Sequence, residues 1–412
     1  MQKYSTILLV GIAAWAAVSR ADEPRKFRTD ADGPVLADEA KKKPKPGVLP
    51  WYQLVDGQFP PEGSAHAIAG ELIQVDHLER RFRLRVDRND SQDRGVWDLP
   101  LDAVMLPYGS IYYHGSPAVL QDIPLGTHLH GLFYLRAPDD TATPFVTSYY
   151  NRRTPEFDFG RCFRIEDDFT FHARQKRLWK IESVDLAAKK LVATLQAEGE
   201  VAGKPQSFDL TSSTEVYEGR GFATLDSLQA GRLVMLNLTW ATLYGPGRIR
   251  EIWLDEPSRT LARERQMERH RNHTREHGLP GWVEAVDDEQ QIVTITFFGS
   301  VDPALFDGLT RTNAEPYGWP LSKPEDNPTA PKGTIAVARD SLMTYDQLND
   351  RKGGNLLGVE RISAAPGSSG VRIRVQCDML LEGFRPTRIV RFFPATWKVI
   401  ALPREEEFFG RE

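Results

Sequence analysis

The chain has 412 residues, of which 41% are hydrophobic and 26% are charged, and its formal net charge is −5. This length allows about two to four domains. An aromatic share of 10%, spread along the chain, excludes a disordered protein. The mild negative charge argues against nucleic-acid binding through bulk charge, because neutralising phosphates requires clustered Lys and Arg.

The first residues are typical of a signal peptide. Lys3 supplies a positive charge, Ile7 to Val18 form an apolar run too short for a membrane span, and Ser19-Arg20-Ala21 offers the small residues that a signal peptidase reads. Cleavage after Ala21 removes two positive charges and no acid, which takes the net charge from −5 to −7. No later stretch reaches roughly 20 apolar residues. We therefore expect an exported protein, periplasmic or extracellular, that does not span a membrane.

Residues 22–64 are typical of a linker. The segment is charged and poor in large apolar residues, and the run KKKPKP at 41–46 is basic and punctuated by proline. Such a run favours an extended, solvated tether.

A short motif occurs three times and organises the rest of the chain. It reads ELIQVD at 71–76, KIESVD at 180–185 and WVEAVD at 282–287, and a run with alternating apolar residues follows each copy after a charged turn. Alternation with a period of two is typical of a half-buried strand. Each copy predicts a hairpin in which the valine points inwards and the aspartate starts the turn, namely Val75-Asp76, Val184-Asp185 and Val286-Asp287.

The first two copies share a second block. The sequence AVLQDIPLG at 118–126 matches ATLDSLQAG at 223–231 position by position, and each leads into a predicted strand. The closing glycines, Gly126 and Gly231, suit a turn with positive φ that redirects the chain.

These repeats predict an all-β chain of three tandem small barrels of the OB type with one connecting surface helix, because closing a sheet hides the edges of short strands. A small β-sandwich is the alternative for each module. The predicted division is a signal peptide at 1–21, a linker at 22–64, module 1 at 65–137, a connector at 138–177, module 2 at 178–255, a helical connector at 256–278, module 3 at 279–400 with an inserted loop at about 302–332, and a tail at 401–412.

The Val-Asp hairpin and the block from Asp98-Leu99 to Asp122-Ile123-Pro124-Leu125-Gly126 resemble those of exported bacterial small β-barrel (OB-like) repeat proteins of unknown function. The likeness covers modules 1 and 2 and part of module 3. Such motifs specify turns and core positions, so the resemblance implies a barrel fold and brings no activity with it.

Three histidines of module 1 form the first candidate metal site. His128 and His130 alternate on a predicted strand and share one face, and we expect His114 to lie near them across the sheet. Three imidazoles on a β-scaffold can hold a catalytic divalent metal with an open coordination position. The alternative is a structural role with hydrogen-bonded nitrogens, because the aligned residues of module 2, Leu233 and Met235, are apolar.

The predicted helix provides an alternative metal site. It runs from Ser258, which can cap it, to His277, and Gly278 can end it. His270, His273 and His277 are spaced i, i+3 and i+7, so one helix face presents three imidazoles. Because arginines flank them and repel a cation, the competing interpretation is a basic, solvated face that contacts an acidic partner or a barrel.

Two further features are interpreted as structural. The triplet Glu166-Asp167-Asp168 is interpreted as surface charge or as pairing with Arg161 and Arg164, because neighbours on a strand point to opposite faces and do not form the carboxylate pair of a glycosidase. Cys162 and Cys377 lie 215 positions apart, and both a disulfide and two buried thiols stay open for an exported protein.

The sequence favours a binding or structural role over catalysis. It carries no Gly-x-Ser-x-Gly elbow, no phosphate-binding glycine loop followed by Lys and no zinc-type cysteine spacing, so no catalytic residue is predicted. The leading hypothesis is a non-enzymatic module that binds a surface polymer or another exported protein, with Tyr112, Tyr113, Tyr149 and Tyr150 as candidates for stacking. The alternatives are a metal-dependent enzyme that uses the module 1 histidines and a single-stranded nucleic-acid binder, which the net acidity disfavours. The one cofactor considered is a divalent metal at either histidine set.

Overall fold

The computed structural model describes residues 66–77, 80–87, 100–135, 157–240, 247–309, 334–338, 351–363, 367–377, 384–386 and 388–397. The predicted signal peptide, the linker, most of the module 3 insertion and the tail lie outside these residues. Among the described helices, none has both the length and the apolar character that a bilayer crossing requires.

The first barrel has five main strands and one short one, which are β1 (His66–Asp76), β2 (Arg81–Val86), β3 (Leu101–Tyr113), β4 (Ser116–Pro117), β5 (His128–Leu135) and β6 (Phe157–Asp167). The pairs β1–β2, β2–β3, β3–β6, β6–β5 and β5–β1 close the sheet into a ring. All of these pairs are antiparallel except β3–β6, which is parallel. The result is a small five-stranded barrel of the OB type, as predicted.

Strand β6 lies inside the segment 138–177, which the sequence predicts as a connector. The structure makes it the last strand of barrel 1, because β6 pairs with both β3 and β5 and the ring closes through it. Cys162 and Ile165 of β6 belong to the core of this barrel. The chain of barrel 1 therefore extends about 30 residues beyond the predicted end of module 1, at 137, to Asp167.

The second barrel repeats this topology with β7 (Arg177–Asp185), β8 (Lys190–Ala197), β9 (Glu200–Val201), β10 (Gln206–Glu218), β11 (Gly221–Ala223), β12 (Leu233–Trp240) and β13 (Gly247–Trp253). The ring runs β7–β8–β10–β13–β12, and the one parallel pair is β10–β13. The sequence repeat between modules 1 and 2 thus corresponds to one topology used twice.

The third barrel is closed but has a different strand order. Its strands are β14 (Leu279–Asp287), β15 (Ile292–Phe298), β16 (Thr334–Ala338), β17 (Arg351–Arg361), β18 (Ser368–Cys377) and β19 (Ile389–Phe393). They pair in the ring β14–β15–β18–β17–β16–β19, and every described pair is antiparallel. The Val-Asp hairpin is therefore shared by all three barrels, whereas the parallel closing pair is confined to the first two.

The Val-Asp motif forms the first hairpin of each barrel, as predicted. The three valines are partly buried against the three cores. Asp185 accepts a hydrogen bond from the backbone N–H of Ala188 at 2.8 Å, and Asp287 accepts one from the backbone N–H of Glu289 at 3.1 Å and one from that of Gln290 at 2.9 Å. Each aspartate thereby caps the turn that it starts. Each hairpin also shifts register at the same place, two to four residues before the aspartate, so a β-bulge is part of the repeat.

The closing glycines of the shared block have the predicted backbone conformation. Gly126 and Gly231 both have φ of +85°. Each precedes the fourth strand of its ring, β5 or β12, and its backbone N–H donates to the first strand, at Leu72 or Ile181. The turn therefore fixes where the fourth strand joins the ring.

Two helices join the barrels. Helix α1 (Asp168–Arg174) follows β6 directly, and helix α2 (Glu256–His277) connects barrel 2 to barrel 3. The N-cap of α2 is Asp255 and not the predicted Ser258, since the Asp255 carboxylate accepts the backbone N–H of Ser258 at 2.9 Å. Gly278 ends the helix, as predicted.

Helix α2 lies mostly at the surface but buries one narrow, largely polar stripe, formed by Ser258, Ala262, Gln266, His270 and Thr274, and it also buries Arg259 in its first turn. The amide of Gln266 donates to the carbonyl of Pro117 in barrel 1 at 3.1 Å. His270 Nε2 accepts the backbone N–H of Asp302 in barrel 3 at 3.3 Å. The helix thereby touches barrels 1 and 3 as well as barrel 2, with which its N-terminus is continuous.

Each barrel encloses a separate apolar core. Buried aromatic residues mark each one, with Phe133 in the first, Phe208 in the second and Phe392 in the third. Cys162 lies in the first core and Cys377 in the third, and both are buried thiols that take part in no disulfide. The structure therefore favours two buried thiols over a disulfide.

Candidate functional site at the junction of barrels 1 and 2

The acidic triplet that ends β6 is buried at the junction of barrels 1 and 2. Glu166, Asp167 and Asp168 are each exposed by 3% or less, so the interpretation as surface charge is wrong. Glu166 pairs with Arg164 at 2.8 Å, as the alternative predicted, and also with Arg174 at 2.7 Å. Burial raises the pKa of Glu166, but these two arginines lower it by more than burial raises it, so the net shift of the pKa is downward.

Asp167 holds the start of helix α1 in place. Its carboxylate accepts the backbone N–H of Thr170 at 3.0 Å, which is an N-cap, and it also accepts the Thr170 hydroxyl. Its other oxygen accepts the backbone N–H of His114 at 3.0 Å. The helix start is thereby tied to the turn that follows β3.

Asn237 of barrel 2 crosses the junction. This side chain is fully buried, and its amide nitrogen donates to Asp167 at 2.9 Å and to Glu251 at 3.0 Å. Its carbonyl oxygen accepts the backbone N–H of Phe169 at 2.7 Å. One amide therefore links two buried acids, one from each barrel, and fixes the hydrogen-bonding pattern of the interface.

His114 joins the same network from barrel 1. Its Nε2 lies 3.1 Å from Glu251 Oε2, and its ring contacts Trp253 edge-on, with ring centroids 4.9 Å apart. Burial lowers the pKa of His114, but Glu251 and Asp167 raise it more, so the net shift is upward. Burial raises the pKa of Glu251, but His114 and Asn237 lower it by more, so the net shift of this pKa is downward. These opposite shifts favour a charged pair.

A second cluster lies around Asp168. His128 Nδ1 and His130 Nε2 each lie 2.8 Å from the same oxygen, Asp168 Oδ1, and the other ring nitrogen of His128 lies 2.7 Å from Asp87 Oδ2. Burial lowers the pKa of His128, but the two carboxylates outweigh it and hold the pKa well above its usual value. Burial raises the pKa of Asp168, but the two imidazoles outweigh this effect and hold the pKa well below its usual range.

The second oxygen of Asp168 is held by barrel 2. The backbone N–H of Leu238 donates to Asp168 Oδ2 at 2.9 Å. That N–H is available because the β12–β13 register shifts between Asn237 and Leu238, which is a bulge in the strand. The bulge therefore places both a side-chain amide and a backbone donor against helix α1.

His172 lies one helical turn after Asp168, on the same face of α1. Its ring centroid is 6.3 Å from that of His130, and burial lowers its pKa to about 4. Its buried Nδ1 has no hydrogen-bond partner among the described residues. A neutral imidazole with one unpaired nitrogen thus borders the Asp168 cluster.

A cleft of about 350 Å³ opens between barrel 1, barrel 2 and helix α2. The His114–Glu251 pair lies in its wall, beside the aromatic rings of Tyr113, Tyr217 and Trp253. Phe222 lies at the edge and is 75% exposed, which is unusual for an aromatic side chain. Four arginines complete the lining on the barrel 2 and helix sides, namely Arg220, Arg250, Arg265 and Arg269.

The structure brings together two of the three predicted module 1 ligands. His128 and His130 lie in one group with Asp168, and the ligand atoms of these three residues lie within 4.8 Å of one another. No other set of three His, Cys, Asp or Glu side chains among the described residues is this close. His114 belongs to the network of Asp167 and Glu251 instead.

The helix α2 histidines do not converge. His270 is buried and accepts the backbone N–H of Asp302, while the rings of His273 and His277 stack with centroids 3.8 Å apart. Of the four tyrosines considered for stacking, Tyr112 and Tyr113 are described, and Tyr113 is buried beside the cleft. Tyr149 and Tyr150 lie outside the described residues.

Sequence reasoning missed the residues that complete the site. Asp168 lies 38 positions from His130, and Asn237 lies 70 positions from Asp167, so no local spacing links them. One signal was available: Asn237 is a polar residue within the apolar run Leu233–Leu238, where an amide requires hydrogen-bond partners.

No protein-family model matches the chain, and no curated protein matches it either. Among solved structures, the chain is similar to Escherichia coli CusF with Ag(I), at 15% identity and a TM-score of 0.14, over 19% of this chain and 89% of that chain. It is also similar to a CusF variant with Cu(II), at 14% identity and a TM-score of 0.15, over 19% of this chain and 90% of that chain. TM-scores this low carry no argument about the fold or the ligand of this chain.

Proposed function

We propose that the chain is a binding protein that holds an acidic sugar unit of a surface polymer in the cleft between barrel 1, barrel 2 and helix α2. The observation that carries this proposal is an imbalance among the charged side chains of the cleft: its acids accept hydrogen bonds from neighbouring side chains, whereas two of its arginines form no ion pair among the described residues.

The acids of the cleft already have partners. Glu251 accepts from His114 and Asn237, Asp122 accepts from the amide of Gln266 at 3.0 Å, and Glu215 accepts the hydroxyl of Tyr217. These carboxylates hold the walls of the cleft together, so they are poor candidates for recognising a cation.

The arginines of the cleft have weaker partners. Arg265 and Arg269 lie one turn apart on α2, and neither forms an ion pair among the described residues. Arg269 donates a long hydrogen bond of 3.5 Å to the neutral amide oxygen of Gln266. Arg250 donates to the backbone carbonyl of Leu125 at 3.2 Å. Arg220 lies 3.7 Å from Glu264, and both side chains are largely exposed, so this pair contributes little. Guanidinium groups bind carboxylates through paired hydrogen bonds, which favours an anionic ligand.

The aromatic residues supply flat surfaces beside the arginines. Tyr217 stacks on Trp253 with an interplanar angle of 12°, and Phe222 lies next to Tyr217 with centroids 5.1 Å apart. A sugar ring has an apolar face that packs against such rings. The cleft volume of about 350 Å³ falls at the small end of the usual ligand-pocket range and suits one or two sugar units.

An array of acidic and neutral oligosaccharides of matched length tests this proposal. We expect the full chain to bind uronic-acid oligosaccharides and to leave the neutral ones unbound. The double variant Arg265→Gln, Arg269→Gln is expected to lose at least tenfold in affinity, since each guanidinium contributes a charge-assisted hydrogen bond. The matched control is Arg275→Gln, on the same helix but outside the cleft.

Two results would contradict the proposal. Equal binding of neutral and acidic sugars, or no binding to either, would remove the acidic-sugar function and favour a purely structural role. Binding of single-stranded oligonucleotides with a steep salt dependence, in place of sugars, would favour the nucleic-acid alternative.

A further inference from the structure

We infer that His128, His130 and Asp168 form a binding site for one divalent transition-metal ion of the zinc type, separate from the cleft. The three candidate ligand atoms lie within 4.8 Å of one another. Two of the three distances between them are 2.8 Å. Three tetrahedral bonds of about 2.0–2.2 Å to one ion place the ligand atoms roughly 3.3–3.6 Å apart. Binding therefore requires the two Asp168–histidine distances to lengthen by about half an ångström, with the two histidine nitrogens at a similar separation.

The donor set has the chemistry that such ions prefer. Two imidazole nitrogens and one carboxylate oxygen bind Zn²⁺, Co²⁺ and Ni²⁺, and three protein ligands leave a coordination position for water or a ligand. No thiolate takes part, because both cysteines lie in the cores of barrels 1 and 3. A hard cation such as Ca²⁺ is disfavoured, since it requires six or more oxygen ligands.

The second hydrogen bonds of the ligands hold them in place for metal binding. His128 offers Nδ1 to the site, while its Nε2 lies 2.7 Å from Asp87, so the arrangement is carboxylate–histidine–metal. Asp168 offers Oδ1 to the site, and its Oδ2 is fixed by the backbone N–H of Leu238. The ring of His130 stacks on Phe171 with centroids 3.8 Å apart and an interplanar angle of 6°. All three ligands are therefore oriented by groups that do not themselves bind the ion.

The three ligand side chains differ in their exposure to solvent, which indicates how an ion enters the site. The side chains of His128 and Asp168 are each 4% exposed, whereas that of His130 is 21% exposed. An ion therefore enters from the side of His130. The unpaired Nδ1 of His172 lies in the same buried surroundings and is a candidate partner for a water on the ion.

The competing explanation is a hydrogen-bonded cluster that only fastens β5 to helix α1. In that case Asp168 accepts two imidazole N–H groups and no metal binds. The two explanations predict different numbers of metal ions bound per chain. His273 provides a matched control, because it also belongs to a pair of stacked histidines. In that pair, Nδ1 of His277 is hydrogen-bonded to the backbone carbonyl of His273.

Equilibrium dialysis of the full, chelator-treated protein against ZnCl₂, with metal quantified by mass spectrometry, tests the site. We expect one zinc per chain in the natural protein and in His273→Gln. We expect His130→Gln to weaken binding at least tenfold, because it removes one ligand while leaving the buried Asp168–His128 pair intact. Asp87→Asn is expected to weaken binding about tenfold, because it removes the orienting carboxylate and no ligand.

Substitution with CoCl₂ provides an independent measurement. Cobalt bound to two imidazoles and a carboxylate gives visible absorption bands, which zinc should abolish by displacement and which Asp168→Asn should lack. Circular dichroism shows whether each variant is folded. If a ligand variant does not fold, the comparison of the natural protein with Asp87→Asn takes its place. Absence of stoichiometric zinc in the natural protein, or equal zinc affinity in His130→Gln and His273→Gln, would overturn the inference.

Discussion

The backbone N–H of Leu238, in the second barrel, donates a hydrogen bond of 2.9 Å to the carboxylate of Asp168, the first residue of the helix that follows the first barrel. Asn237, its neighbour, donates to Asp167 across the same junction and to Glu251 within the second barrel. Two adjacent residues of one strand thus satisfy two adjacent acids of the preceding barrel. The junction is specified by paired polar groups as well as by apolar packing.

Replacing Asn237 tests the importance of this bridge. Asn237→Ala leaves Asp167, Glu251 and the N–H of Phe169 each short of one partner in a buried place. We expect the free energy of unfolding to fall by about 2–4 kcal/mol, measured by urea denaturation, because buried groups left unsatisfied each cost about 1–3 kcal/mol. Ser183→Ala, at an exposed position of the same barrel, should change it by less than about 0.5 kcal/mol. If Asn237→Ala lowers the free energy of unfolding by as little as the control does, the Asn237 hydrogen bonds do not stabilise the junction and the prediction is wrong.

The His114–Glu251 pair predicts a pH dependence of stability. The pKa of His114 is raised from 6.5, so its contribution is complete below about pH 6.5 and is lost as the pH rises through the folded-state pKa. The pKa of Glu251 is lowered from 4.5, so its contribution is present above about pH 4.5 and is lost as the pH falls through the folded-state value. The pair should stabilise the protein most between these limits.

The variant His114→Gln isolates this effect, because glutamine can hydrogen-bond to Glu251 but does not titrate. We expect the difference in unfolding free energy between the natural protein and the variant to be about 1–3 kcal/mol near pH 6. It should decrease as the pH rises towards 9. Other titrating groups, including His128, are present in both proteins and cancel in the difference. A difference that grows with pH would show that His114 is neutral in the folded protein.

The two closing glycines form a matched pair for backbone strain. Gly231→Ala places a Cβ in open space but at φ of +85°, so we expect a loss of about 1–2 kcal/mol from the backbone alone. Gly126→Ala has the same φ, and its Cβ would lie 3.1 Å from Thr239 Oγ1, so the loss should be larger. Gly221→Ala, where there is open space and no positive φ, should be nearly neutral. Thermal unfolding of the three variants measures the order, and equal melting temperatures would contradict it.

The cysteines predict a simple labelling result. Burial raises the pKa of the Cys162 thiol, and both thiols lie in barrel cores and take part in no disulfide. We expect no rapid reaction with a thiol reagent in the folded protein and two reactive thiols per chain after denaturation without reductant. Fewer than two after denaturation would reveal a disulfide and would require the cores of barrels 1 and 3 to rearrange.

The barrels were predictable because their signals are local. The Val-Asp hairpin combines a period of two with an aspartate that caps its own turn, and Gly126 and Gly231 mark one turn by its backbone conformation. The last strand of barrel 1 was not predictable as such, because its partners β3 and β5 lie far away in sequence. Helix α1 has seven residues, which is too short for a helical period to emerge from its sequence.

The site was predictable only in part, for the same reason. His128 and His130 share a strand face, so their proximity follows from the alternation of side chains. Asp168 lies next to these histidines because β6, which precedes it, pairs with β5 when the barrel closes. His114 instead forms a pair with Glu251, which lies 137 positions later in the chain. Buried pairing between such distant residues is decided by packing, and a single sequence carries no periodic trace of it.

The position of Phe169 has a consequence for how this array can change in evolution. The residue directly follows the acids of barrel 1, yet it packs among Met235 and Trp253 of barrel 2. A copy of barrel 1 inserted elsewhere would carry two buried acids and an aromatic ring without the strand that receives them. A further copy of barrel 1 is therefore compatible with the array only where a barrel 2 strand follows to cover these groups.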